Sequence, residues 1–340
     1  MQAVFFDAIG KLRVGRTEAP KYQDDEILLK IHSAGICGTD LHILKGEYGG
    51  YFPIIPGHEF SGEVVEVGKS VKTLMPGSRV TVHPGSGYGV YTPGGFEDYA
   101  SIRECDAHEI GTLTYEEGAL VEPLACVVNG IDTVGVHFGD EVLIVGAGPI
   151  GLLLMQVAKL AGAQSVSIVD LAKNKLHRAK ELGADEIYIA GHDFKTELLD
   201  THPKGFHLTI DATGNPEAQQ QMLGFTRSGG RFLLFGVAAP NAKMTIEPYD
   251  VFYRELSIFG VHSVGDKFEQ AIAVAKSGRV NLTDIVSHHF ALNQFPEALS
   301  LVRSPAASLK VLIHPGGDNR CRELSKAASQ SAVEVNTAEY

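Results

Sequence analysis

Residues 141–170, EVLIVGAGPIGLLLMQVAKLAGAQSVSIVD, leave few folds open to this chain. A short β-branched run meets a glycine turn, then an apolar segment of helix length, then a second apolar run ending at Asp170. Strand, turn, helix and strand in that order make a βαβ unit, which needs a parallel sheet covered on both faces. The apolar stretch Val142–Ala158 falls short of the ~20 residues that span a bilayer. It is also broken by Gly146, Gly148, Pro149 and Gly151. A buried strand, turn and helix account for it better.

The alternation continues downstream. KNKLHRAKELGADEIYI supplies a further helix and strand, and FHLTIDATG and GRFLLFGV read as buried strands. Upstream the pattern differs: Ala3–Phe6, Glu26–Ala34, Gly62–Val67 and Arg79–Val82 are short runs separated by Gly, Pro and Asp turns, and Gly85–Gly95 reads as loop. With 340 residues, two domains are expected. The sequence therefore predicts an α/β protein with a discontinuous β-rich domain (1–124 and 266–315) and a doubly wound parallel-sheet domain (125–265). A polar tail, 316–340, has no apolar period.

Lys and Arg total 29 against 41 Asp and Glu, a formal charge of −12. Such a balance disfavours phosphate backbones and anionic lipid surfaces, so neither nucleic acid nor membrane is expected as a partner. Cys37, Cys105, Cys126 and Cys321 are scattered, and the N-terminus carries no secretory pattern. Both features point to a reducing, cytoplasmic setting.

Gly146-Ala147-Gly148-Pro149-Ile150-Gly151 is a G-x-G-x-x-G motif placed between a strand and a helix, the context that gives the motif meaning. Gly146 allows the tight turn, Gly148 allows close approach of a pyrophosphate, and Gly151 allows the helix to pack on the strand. The helix N-terminus offers free N–H groups to phosphate. Asp170 lies 19 positions after Gly151, where a carboxylate accepts ribose hydroxyls and repels a 2′-phosphate. NAD is the expected cofactor. Asp170 could instead cap a helix, and Lys173 and Lys175 temper the exclusion of NADP. Lys175, Thr213, Gly214, Gly236 and Lys310 are further candidate cofactor contacts.

GICGTDLH (35–42), PGHEFSGEVVEVG (56–68), GGFEDY (94–99), EEGALVEPLAC (116–126) and VGAGPIG (145–151) occur in this order. Taken singly, each is as compatible with packing or solvation as with metal binding. As an ordered set they resemble the medium-chain zinc-dependent dehydrogenases, over residues 3 to about 313, and EPLAC is most similar to the polyol branch, which includes sorbitol dehydrogenase.

The resemblance implies a GroES-like catalytic domain beside a Rossmann domain. It makes Cys37 and His58 ligands of one catalytic zinc, with either Glu59 or Glu122 as the direct carboxylate and the other acting through water. A thiolate, an imidazole and a carboxylate leave the open fourth position that catalytic zinc uses. Asp40 would orient a ligand. Thr39 would take the proton of a substrate alcohol, and His42 would exchange it with water. The implied reaction is hydride transfer from a secondary alcohol, a polyol of the sorbitol, xylitol or arabinitol type, to NAD, giving a ketose. The assembly would be a homodimer or homotetramer.

Two departures from that branch matter. VTVHPGSGYGVYTPGGFEDY (80–99) replaces the four-cysteine lobe that holds a structural zinc in many relatives, so no structural zinc is expected. His289 stands where sorbitol dehydrogenases carry an arginine that contacts the polyol. Threonine, butanediol or a simple alcohol are alternative substrates. A non-catalytic NAD-binding protein is the alternative outside enzymes, and the surviving Cys37, His58, Glu59 and Glu122 argue against it.

Overall fold

A computed structural model describes residues 1–191, 194–304 and 308–316. The tail expected at 316–340 lies, from 317 onward, outside the described residues. The described residues divide into two compact units, 1–122 with 282–316 and 123–281.

The first unit is built on a seven-stranded sheet. Its order is Val286–Ala291, Lys310–His314, Glu26–Ile36, Glu59–Val67, Arg79–Val82 and Ala107–Glu109, with Tyr99–Arg103 also paired to Glu26–Ile36. A hairpin, Gln2–Ala8 with Lys11–Arg16, accompanies it. Pairing is antiparallel except between Val286–Ala291 and Lys310–His314. Burial alternates along Glu26–Ile36, as expected of a strand with one face on a core. That core gathers Phe6, Ile27, Leu29, Phe60, Phe96, Phe295 and Ile313, all fully or nearly fully buried.

The C-terminal segment is structurally central. Lys310–His314 lies between Val286–Ala291 and Glu26–Ile36, pairing Val311 with Ile36 and Leu312 with Gly35. Gly35 in turn faces Glu59 on the next strand. Three segments distant in sequence thus converge at one end of Glu26–Ile36.

The second unit holds a six-stranded parallel sheet. Its order is Glu186–Ile189, Ser165–Asp170, Glu141–Val145, Phe206–Asp211, Thr226–Leu234 and Ser257–Gly260. The Glu141–Val145 strand and the Pro149–Leu160 helix are apolar and buried because helices cover the sheet.

This unit extends further than the sequence suggests, to Asn281 and not 265. The helix Phe268–Lys276 buries Phe268, Ala271, Ile272 and Ala275. Gln156 donates to the Asn281 carbonyl and accepts from the Asn281 N–H. Among the described residues no helix is long and apolar enough to cross a membrane.

Candidate active site

The metal-ligand candidates collect in the first unit. Cys37 caps the helix Gly38–Lys45, and Asp40, three residues on, accepts a hydrogen bond of 2.8 Å from the Cys37 backbone N–H. That reciprocal cap fixes Cys37 at the helix start and holds the Asp40 carboxylate beneath it. His58 enters from the loop ahead of Glu59–Val67, and Glu59 begins that strand. Ligand atoms of Cys37, His58 and Glu59 lie within 4.8 Å of one another. Glu122, near the start of the helix Val121–Val134, is buried close enough for its charge to act on both His58 and Lys310.

Negative charge dominates this cluster. Burial alone would hold the His58 imidazole neutral. The Cys37 sulfur it hydrogen-bonds, with Asp40 and Glu122, outweighs that and pushes its pKa well above the ordinary histidine value. Burial raises the Asp40 carboxyl, and His58 partly opposes the rise. Asp40 Oδ1 and His58 Nδ1 stand 3.7 Å apart, buried, and neither has a hydrogen-bond partner. Cys37, Asp40, Glu59 and Glu122 therefore surround two basic groups, His58 and Lys310. A sulfur, an imidazole and a carboxylate amid excess negative charge fit a divalent ion of the zinc type.

Lys310, read from sequence as a candidate cofactor contact, is paired with Glu59 within the first unit. Its ammonium donates to both oxygens of Glu59, at 2.8 and 2.7 Å, and to the Ile36 carbonyl at 3.3 Å. Burial works against its charge, but Glu59, with Cys37 and Glu122, more than compensates and its pKa rises. Gly35 is a second residue that sequence reasoning missed. A Cβ at that position would overlap Glu59 Oε2, so the carboxylate occupies space that only glycine leaves free. The glycine framing of GICG was the available signal.

Thr39 and His42 lie on the same short helix. Thr39 Oγ1 is 3.6 Å from Cys37 Sγ. The half-buried His42 places Nδ1 2.8 Å from Glu47.

The cofactor candidates collect in the second unit. Gly146 has φ +110° and donates to the Val169 carbonyl at 2.8 Å, which makes the sharp turn off the Glu141–Val145 strand. A Cβ on Gly151 would overlap the Gly146 carbonyl, whereas a Cβ on Gly148 would meet nothing within 4 Å. Gly148, Pro149 and Ile150 are half-exposed while Gly146 and Gly151 are buried. Two glycines serve the protein's own packing, and the third borders open space of the kind a pyrophosphate needs.

Asp170 accepts from the N–H groups of Ala147 and Ala172, at 2.7 and 2.8 Å. The cap of the helix Lys173–Glu181 is Ala172, so Asp170 is not the N-cap. Lys175 is buried beside it; burial lowers its pKa and Asp170 opposes that. Thr213 and Gly214 are held by Asp211, which accepts from the Thr213 N–H and hydroxyl and from the Gly214 N–H. The Gly236 N–H donates to the Asp211 carbonyl, and a side chain on Gly236 would overlap Gly214. These residues thus gather at the C-terminal ends of adjoining strands.

Comparison with known proteins places both units in known domain families. Residues 23–125 match the alcohol dehydrogenase GroES-like domain, and residues 149–277 match the zinc-binding dehydrogenase domain. D-arabinitol dehydrogenase 1 of Uromyces fabae is 32% identical, over 93% of this chain and 97% of the relative. The chain belongs to the zinc-binding dehydrogenase family. D-altritol 5-dehydrogenase of Agrobacterium fabrum, another relative, is 32% identical over 92% and 98% of the two chains. A zinc-binding dehydrogenase of Sinorhizobium meliloti 1021, solved with NADP, has a TM-score of 0.86 and 32% identity, over 92% of this chain and 99% of that one.

Proposed function

We propose that the protein oxidises a secondary hydroxyl of an acyclic polyol to a ketone, with zinc and NAD as cofactors. The Cys37–His58–Glu59 set, with its ligand atoms within 4.8 Å of one another, carries this reading. The arabinitol and altritol named for two relatives support a polyol substrate.

Cys37, His58 and Glu59 would hold the ion, with Asp40 fixing His58 through Nδ1 and leaving Nε2 for the metal. Lys310 pairs with Glu59 and neutralises part of the site's charge. Glu122 completes the acidic surround and acts through water. When bound, zinc lowers the pKa of a substrate hydroxyl, and the nicotinamide accepts the hydride from its carbon. Thr39 would receive the hydroxyl proton as it passes on its own, and His42, in contact with solvent, would return a proton to water. Gly146, Gly148, Pro149, Ile150 and Gly151 would receive the pyrophosphate. Thr213, Gly214 and Gly236 would border the nicotinamide half.

Asp170 supports NAD over NADP, because its carboxylate would face a 2′-phosphate. Lys175 beside it reduces the margin, and a relative has been solved with NADP. A homo-oligomer in the cytoplasm fits the family and the absence of a disulfide at Cys37, Cys105 and Cys126.

NADH formation on arabinitol, xylitol, sorbitol, threonine and butanediol, with NAD and NADP in parallel, tests the proposal. The expected result is chelator-sensitive activity on polyols with NAD, abolished in Cys37→Ser. Zinc-loaded protein that forms no NADH from any of these alcohols would favour a non-catalytic NAD-binding role.

A further inference from the structure

We propose that Glu116, His289 and His314 form a second divalent-cation site, in the same unit as Cys37, His58 and Glu59 but sharing no residue with them. The three come from the helix Tyr115–Ala119 and the strands Val286–Ala291 and Lys310–His314. His289 Nδ1 lies 3.0 Å from His314 Nε2, and Glu116 Oε1 lies 3.6 and 3.8 Å from those nitrogens. Around an ion with bonds of about 2.0–2.2 Å, tetrahedral neighbours stand roughly 3.3–3.6 Å apart. The donors are already close to that spacing.

The sheet register sets this up. Ala291 pairs with His314 and His289 with Leu312, so side-chain alternation puts both imidazoles on one face of the paired strands. His314 Nδ1 is 3.1 Å from the His32 carbonyl, a bond in which it must donate. The neutral His314 ring therefore carries its lone pair on Nε2, aimed at the other two donors. Burial lowers the His289 pKa and Glu116 opposes that, so a ligand-competent neutral ring is favoured near neutral pH.

Side-chain exposures of 17%, 14% and 35% for His289, His314 and Glu116 leave an approach from solvent and room for a water ligand. Two imidazoles and a carboxylate match zinc best among abundant divalent ions; calcium and magnesium prefer oxygen. Binding needs no net proton release, since His289 shifts its proton to Nε2. A bound ion would tie the helix carrying Glu116 to the strand pair. The competing account is a simple hydrogen bond, with His289 Nδ1–H donating to His314.

The test uses the full chain, equilibrated with zinc or cobalt and then freed of unbound metal. Two ions per chain are expected in the parent and one in each of Cys37→Ser and His289→Ala. Cobalt in His289→Ala should keep the near-ultraviolet thiolate charge-transfer band. Cobalt in Cys37→Ser should show ligand-field bands only, and zinc should raise its Tm. His314→Gln should repeat the loss if His289→Ala folds poorly. A Cys37→Ser protein holding no ion overturns the proposal, as does one whose ion survives a second change, His289→Ala.

Discussion

Both carboxylate oxygens of Glu59 lie within 2.8 Å of the Lys310 ammonium, the two side chains being 1% and 4% exposed. A buried pair this close binds each partner to the other's charge, because removing one strands the other in a poorly solvating interior. Lys310→Met should destabilise the metal-free protein by about 3–5 kcal/mol. Urea unfolding with and without zinc checks this. The loss should shrink in the zinc-loaded protein, where Glu59 has a second cation to face.

Asp40 and His58 make a different kind of pair, 3.7 Å apart and each short of a hydrogen bond. An aspartate that orients a ligating imidazole typically sets metal affinity by about 10–100-fold. Asp40→Asn should weaken zinc binding by that factor, as read by competition with a chromophoric chelator. Unchanged affinity would remove Asp40 from any role in positioning His58.

The glycines of the phosphate turn should separate under substitution. Gly151→Ala forces a methyl group into the Gly146 carbonyl and should cost about 1–3 kcal/mol of stability. Gly148→Ala meets no protein atom and should leave Tm nearly unchanged. It should still weaken NAD binding by about tenfold or more, because the methyl group takes the space of the pyrophosphate. Thermal unfolding and NADH fluorescence titration distinguish the two.

Glu97 offers a pH signature. It is 2% exposed, and burial, reinforced by Asp98, pushes its pKa up to about 8. A carboxyl raised on folding keeps its proton longer in the native state than in the unfolded one. Its favourable contribution is complete below about pH 4.5 and is lost as pH rises toward about 8. Glu97→Gln should flatten that slope and stabilise the protein at pH 8 by roughly 3–5 kcal/mol. Parallel stability–pH curves for parent and variant would contradict this.

How much of this was readable in the sequence depended on distance along the chain. The turn from Gly146 to Gly151 is local: six consecutive residues hold all its geometry, and each glycine has its own reason to be there. The cap linking Cys37 and Asp40 is equally local.

The pairing of Lys310 with Glu59 is not legible in the sequence, because the two lie 251 positions apart. Only the pairing of Val311 with Ile36 and of Gly35 with Glu59 brings them together. No periodicity encodes that register. The grouping of Glu116, His289 and His314 escaped notice for the same reason. The end of the parallel-sheet unit is hard to locate from sequence because Phe268–Lys276 is an ordinary amphipathic helix. Its pattern shows that it buries a face but not against which neighbour.

The Lys310–His314 strand also imposes a delay on a newly made chain. Glu59 emerges early, while the cation that neutralises it follows 251 residues later, roughly 12–50 s at ribosomal speeds of about 5–20 residues per second. Through that interval the sheet has a vacant lane beside Glu26–Ile36. The acid at its edge must stay hydrated, take up a proton, or borrow a passing ion. Maturation of this half of the molecule therefore waits on the arrival of Lys310–His314, however early its first strands are ready.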